Sequence, residues 1–196
     1  MNSEAMKTME SGKLERIYDL NEARRHPLKR NPVSHQRDAL GRLYDDWYER
    51  KSSPEEHAGG ILVIPTGGGK TFVAVRFLCQ KPLSEGYKVL WLAHTHHLLD
   101  QAFYSFEPKM GHIRNISNRK SELRIRVVSG SDKHYKLRNI KPDDDVLMCT
   151  LQTASRGYKR RHRHPKLLDF LKASQSKLVV VFDEAHHAPA PSYRRL

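Results

Sequence analysis

The sequence predicts an α/β domain built on a mostly parallel central sheet, and three observations carry that prediction. Apolar runs of strand length alternate with stretches of helical spacing; one apolar run, ILVI at 61–64, leads into the glycine-rich turn PTGGGKT; another, LVVVF at 178–182, ends in the acidic pair Asp183–Glu184. Such alternation puts helices on both faces of a parallel sheet through right-handed crossovers. With 196 residues, 38% of them hydrophobic, the chain suits one such domain plus peripheral segments rather than two full domains.

The elements follow from punctuation and periodicity. Residues 1–27 mix charge with few apolar anchors and are expected to form an arm, loosely helical or disordered, ahead of a domain over 28–196. Helical spacing at Leu40, Leu43, Tyr44 and Trp47 gives a helix over 34–50, which SSPEEHAGG then breaks. Strands are expected near 60–65, 88–93, 124–128, 145–149 and 178–183, with helices near 70–80, 96–106, 150–157 and 165–174. No internal repeat is visible.

Chemistry concentrates at two strand ends. Gly67, Gly68 and Gly69 allow backbone conformations closed to other residues, so that several N–H groups can converge on phosphate oxygens. The helix that opens there adds its positive end, Lys70 an ammonium for the outer phosphates, and Thr71 a hydroxyl able to ligate Mg²⁺. The general pattern G-x-x-x-x-G-K-[ST] departs at Ile64, where a small residue is wanted. Ligands of parallel sheets bind beyond the carboxyl ends of strands, which would bring Asp183 and Glu184 to the same crevice. There Asp183 would hold Mg²⁺, and Glu184 would orient and deprotonate a water attacking ATP; the plain alternative is a solvated acidic turn after a core strand.

PTGGGKT and DEAH resemble motifs I and II of superfamily 2 helicases and translocases, and in particular the type III restriction enzyme helicase-subunit group. VLWLAHTHHLLDQ (89–101) is similar to motif Ia, VVSGS (127–131) to the strand and turn that follow it, and VLMCTLQTAS (146–155) to motif Ic, all in the family's order. NPVSHQRDAL (31–40) resembles the region in which a glutamine reads adenine, which would make Gln36 that residue. The resemblance implies a P-loop NTPase of RecA-like fold, a three-layer sandwich that uses ATP and Mg²⁺. On it, Thr66 through Thr71 and Gln36 bind nucleotide, Lys70, Asp183 and Glu184 are catalytic, and Thr71 and Asp183 hold Mg²⁺. It further implies strand contacts by His94, Thr95, Gln101, Thr150 and Gln152, and coupling of the ATP site to the rest of the motor by His186. Motif Ia departs at Thr95, where many relatives are basic, and near His97, where many are acidic, which bears on its nucleic-acid contacts. Family members continue into a motif III and a second RecA-like domain bearing arginine fingers, so this chain is expected to be truncated after motif II and to need that domain in cis or in trans.

Composition sets the surroundings. Lys and Arg number 35 against 22 Asp and Glu, a net charge of +13 that favours a polyanionic partner, read with the motifs as DNA in preference to RNA. The densest basic run, RGYKRRHRHPK at 156–166, offers Arg160 and Arg161 to a phosphate backbone and Tyr158 to a base; a solvated loop is the plain alternative. Cys79 and Cys149 lie in apolar stretches and read as reduced core residues, and the twelve histidines lack the spacing of a structural zinc site. Without an apolar leader or a membrane-length apolar run, the expected setting is the cytoplasm, with no membrane partner and with restriction-modification or repair proteins as candidate partners. Two further readings stay open, a nucleotide-gated binding module without turnover and an inactive fragment.

Overall fold

Alternation along one strand organises the molecule. In β3 (Lys88–Ala93) the side chains of Val89, Trp91 and Ala93 enter one apolar cluster and those of Leu90 and Leu92 another on the opposite face. The first cluster is closed by α3 (Lys70–Gln80) and α4 (His96–Phe106), through Leu78, Cys79, Leu99, Phe103 and Phe106. The second is closed by α5 (Leu151–Lys159) and α6 (Pro165–Ser174), through Leu151, Ala154, Leu167 and Phe170. Helices on both faces of one sheet make the three-layer α/β sandwich that the sequence predicts. This computed structural model describes residues 6–7, 12–25, 30–51, 60–114, 121–174 and 177–184.

The remaining strands are β1 (Met6–Lys7), β2 (Glu15–Asp19), β4 (Glu122–Val128), β5 (Val146–Thr150) and β6 (Leu178–Phe182), and the helices α1 (Leu20–Arg25) and α2 (Ser34–Lys51) complete the set. They form one sheet of order β1-β2-β4-β5-β3-β6, in which β4, β5, β3 and β6 run parallel. Registers Ala93↔Thr150 and Leu92↔Phe182 bring the carboxyl ends of β5, β3 and β6 to one edge of the domain. Both cysteines are buried and unpaired, and burial raises both thiol pKa values, so each behaves as a small hydrophobe.

Two sequence expectations change. Residues 15–25, assigned to a loose arm, form β2, antiparallel to β4, and α1, with Tyr18 and Leu20 buried. The anchor is electrostatic as well as apolar. Arg126 of β4, 1% exposed, meets the Glu15 carboxylate at 2.5 Å and the fully buried Asp144 carboxylate at 2.9 Å. A charged partner from the N-terminal segment therefore satisfies a guanidinium that the sheet buries. The second change is at 60–65, expected to be a strand. It joins no sheet: Ile61 and Val63 are 85% and 83% exposed, while Leu62 and Ile64 turn inward against α2 and α3. The period-2 pattern persists, but no described strand lies beside it to take its N–H and C=O groups.

Candidate nucleotide site and nucleic-acid face

The glycine-rich loop is held from beneath by a small apolar cluster. Ile64, Leu40 and Val73 are buried together, joining the loop's entry, α2 and α3. The Gly68 N–H donates to the Pro65 carbonyl at 2.9 Å, closing the turn, and a Cβ at Gly68 would stand 2.5 Å from Ile64 Cγ2. This explains the departure at Ile64: its side chain fills the space over Gly68 and anchors the loop to the core. Gly69, at φ 87°, sits at the N-cap of α3, and a Cβ there would fall 2.6 Å from Gln36 Nε2. The backbone at these positions is a cradle that side chains would fill, as a phosphate-holding loop requires.

Gln36 is built into that cradle. Its Nε2 donates to the Gly68 carbonyl at 2.9 Å, its Oε1 accepts from the Val33 N–H at 3.3 Å, and the residue is buried. His35 Nε2 also lies 3.1 Å from the Gly68 carbonyl. The loop is thus tied to α2 by side chains as well as by packing.

The acidic pair sits one step past β6. The Asp183 N–H donates to the Leu92 carbonyl at 2.8 Å, extending the β3–β6 ladder, and Glu184 follows at φ 59°, a left-handed conformation uncommon for a non-glycine residue. Burial raises the Asp183 pKa, and the Glu184 charge raises it further. The buried Trp91 indole N–H, which has no hydrogen bond of good geometry, acts in the other direction, as does the positive charge of Lys70. Thr71 follows Lys70 on the first turn of α3, Thr66 and Gly67 are exposed in the loop, and His186 lies outside the described residues. The loop's backbone N–H groups, the Lys70 ammonium and the acidic pair are of the kinds that a nucleotide with Mg²⁺ needs.

The sequence pattern of the type III restriction enzyme res subunit matches residues 29–196, most of the chain. The chain belongs to that family. It is a superfamily 2 helicase-type, ATP-binding motor domain of RecA-like fold, and the family's activity is that of an ATPase of the helicase class that binds nucleic acid. No curated protein matches it. Among its described residues no helix is long and apolar enough to cross a membrane.

On the res-subunit domain, motifs Ia and Ic emerge side by side from β3 and β5. Thr95 caps α4, accepting from the Leu98 N–H at 3.3 Å, and His94, Thr95 and Gln101 are exposed. Gln152 is exposed on α5. Thr150 is buried and its hydroxyl is engaged within the chain: it accepts from the Thr153 N–H at 3.3 Å and donates to Thr153 Oγ1 at 2.8 Å. Arg160 and Arg161 are exposed at the far end of α5, about 13 Å along the helix at 1.5 Å per residue. One constellation escaped the sequence reading: His134 bridges Ser129 Oγ at 2.6 Å and Asp100 Oδ1 at 2.7 Å, tying the turn after β4 to α4. Burial lowers the His134 pKa while Asp100 opposes the shift. Nothing in the VVSGS turn or the α4 pattern signals this contact, which pairs residues 34 apart.

Proposed function

We propose that this chain is the ATP-binding half of a DNA translocase or helicase, coupling ATP hydrolysis to movement on DNA once a second RecA-like domain, in cis or in trans, closes on the site. The carrying observation is geometric: the side-chain-free cradle at Gly68 and Gly69 opens α3, α3 packs in the same apolar cluster as Val179 and Val181 of β6, and β6 ends at the acidic pair, which supports one site for the loop and the pair. Bound Mg²⁺·ATP supplies the phosphoanhydride whose hydrolysis drives the cycle.

Each residue has a task in that reading. The backbone of Gly67 through Gly69 and the Lys70 ammonium hold the phosphates, with Thr71 and Asp183 as the Mg²⁺ ligands. Glu184 orients water for in-line attack and takes its proton. Gln36 lies between adenine and the loop, so that the base it reads and the loop carbonyl it holds are linked. His186 couples this site to the second domain. His94, Thr95, Gln101 and Gln152 follow a strand backbone, with Thr150 supporting them as a helix cap and Arg160 and Arg161 adding remote phosphate contacts. The family's description as a restriction enzyme favours DNA over RNA and a restriction-modification setting.

ATP hydrolysis by the purified chain, measured alone and with single-stranded DNA, duplex DNA or RNA of one sequence, tests the proposal. Stimulation by DNA above RNA, lost in Glu184→Gln while ATP binding is kept, is the expected result. Equal stimulation by RNA would reassign the substrate, and tight ATP binding with no turnover on any nucleic acid would favour a nucleotide-gated binding module.

A further inference from the structure

A second cationic site lies at the opposite end of α3 from Lys70, about 15 Å along that helix at 1.5 Å per residue. There a cavity of about 400 Å³ is lined by Tyr44, Arg76, Gln80, Lys81, His112 and Arg114. These residues come from α2, the last turns of α3, and the segment following α4. Three of the six carry permanent positive charge, and among the described residues no salt bridge joins any of them to a carboxylate.

The charges are uncompensated in other ways. Arg76 Nε is buried without a hydrogen-bond partner, and its Nη1 reaches only the Arg30 carbonyl at 3.2 Å. Lys81 donates to the Tyr48 hydroxyl and lies over the Tyr44 ring at 5.3 Å, contacts that leave its charge unneutralised. Lys109 has its pKa lowered by burial and by the positive charges of Arg30 and Arg76. His112 is pushed down to about 4 by burial first and then by Arg76, Arg114 and Lys109. It is therefore neutral near pH 7, and with Nδ1 facing Gln80 Nε2 at 3.4 Å, its other ring nitrogen carries the proton.

Clustered cations that repel one another, with a buried guanidinium donor left over, form a site whose missing member is an anion. Its chemistry can be narrowed. Two guanidinium groups and an ammonium exceed what a single carboxylate neutralises, and the planar fork of arginine matches the paired oxygens of a phosphate. The volume is in the range of small-molecule sites and larger than one inorganic ion needs. We propose that this cavity is a second anion site, separate from the glycine-rich loop, for a ligand bearing a pyrophosphate-type group, with Arg76 and Arg114 gripping the phosphates, Lys81 adding charge and His112 a neutral donor. The phosphates could belong to a free nucleotide or to a nucleic-acid backbone, and the test separates these.

Inorganic pyrophosphate and a short single-stranded oligonucleotide are titrated separately into the full chain carrying Lys70→Ala, which removes the loop's phosphate ligand. Proton NMR of the His112 ring, assigned by loss of its signal in His112→Gln, is followed against pH. Bound phosphate should raise the His112 midpoint by at least about one unit, since an opposite charge within ~4–6 Å favours the imidazolium. Arg114→Ala, an exposed change that spares the fold, should weaken pyrophosphate about tenfold, and Arg76→Lys should recover part of what Arg76→Ala loses. A shift with pyrophosphate identifies a free nucleotide-type ligand, and one with the oligonucleotide alone identifies a backbone phosphate; either supports the site. A His112 midpoint unmoved by both, or an unchanged affinity in Arg114→Ala and Arg76→Ala for whichever of the two ligands moves it, overturns it.

Discussion

The two flanks of β3 differ. On one side β5 is hydrogen-bonded to strands on both edges and every residue of it is buried, with β4 and β2 continuing the sheet outward. On the other side β6 has one described neighbour, its Val180 and Phe182 are 43% and 39% exposed, and the apolar segment leading into the glycine-rich loop is in no sheet. The paired flank fixes the strand ends from which motifs Ia and Ic project. The open flank carries the glycine-rich loop and the acidic pair, the loop being positioned by three buried residues and by Gln36. The well-paired strands and the candidate site are thus separated across one strand, and on the proposed function the less-paired side is the one on which a second domain would close.

The comparison breaks most visibly at Arg126. Its removal leaves Asp144 buried and unpaired in the rigid flank, so Arg126→Ala should cost about 3–5 kcal/mol in urea unfolding; a loss under about 1 kcal/mol would mean the network does not hold that flank. On the open flank, Ile64→Ala should cost about 2 kcal/mol because its side chain is buried under the loop, whereas the exposed Ile61→Ala should stay within about 0.5 kcal/mol. Equal losses would show that 61–64 is packed against something on both sides. Gly69→Ala combines a positive φ with a close approach to Gln36 and should cost about 1 kcal/mol or more while weakening ATP. One effect is read against pH rather than at a single condition, a pH dependence from His112. Its folded pKa lies below its ordinary value, so between about 6.5 and 4 the unfolded chain binds the extra proton and stability falls as pH falls. His112→Gln should lose that slope; parallel curves for parent and variant would contradict it.

Sequence alone located most of the elements. The helix over 70–80 and the strand over 88–93 fall where periodicity put them, because their apolar spacing is met by partners on both faces. It did not reveal that Glu15 is drawn to Arg126, since a charged strand in a charged arm has no local signature and the demand arises 111 residues away. Nor did it reveal that 61–64 lies outside the sheet: β-branched alternation specifies an extended chain, but pairing needs a neighbour that local pattern cannot supply. At the candidate site, the glycine-rich turn into a helix at Lys70 and the acidic pair after a strand at Asp183 and Glu184 fall where the sequence put them, because glycine clusters and apolar runs are local signals. The burial of Thr150 and the second hold of Gln36 on Gly68 were not, since both depend on where neighbouring elements come to rest.

Every proposed role at the nucleotide requires the loop and the acidic pair to form one site. Calorimetric titration of ATP into the parent and into Asp183→Asn, each with and without Mg²⁺, tests this most directly because it requires neither turnover nor a second domain. If Lys70 and Asp183 face one ligand, the parent should bind ATP more tightly with Mg²⁺, and Asp183→Asn should lose about tenfold or more of that gain while keeping its metal-free affinity. An undiminished Mg²⁺ gain in Asp183→Asn would contradict the shared site.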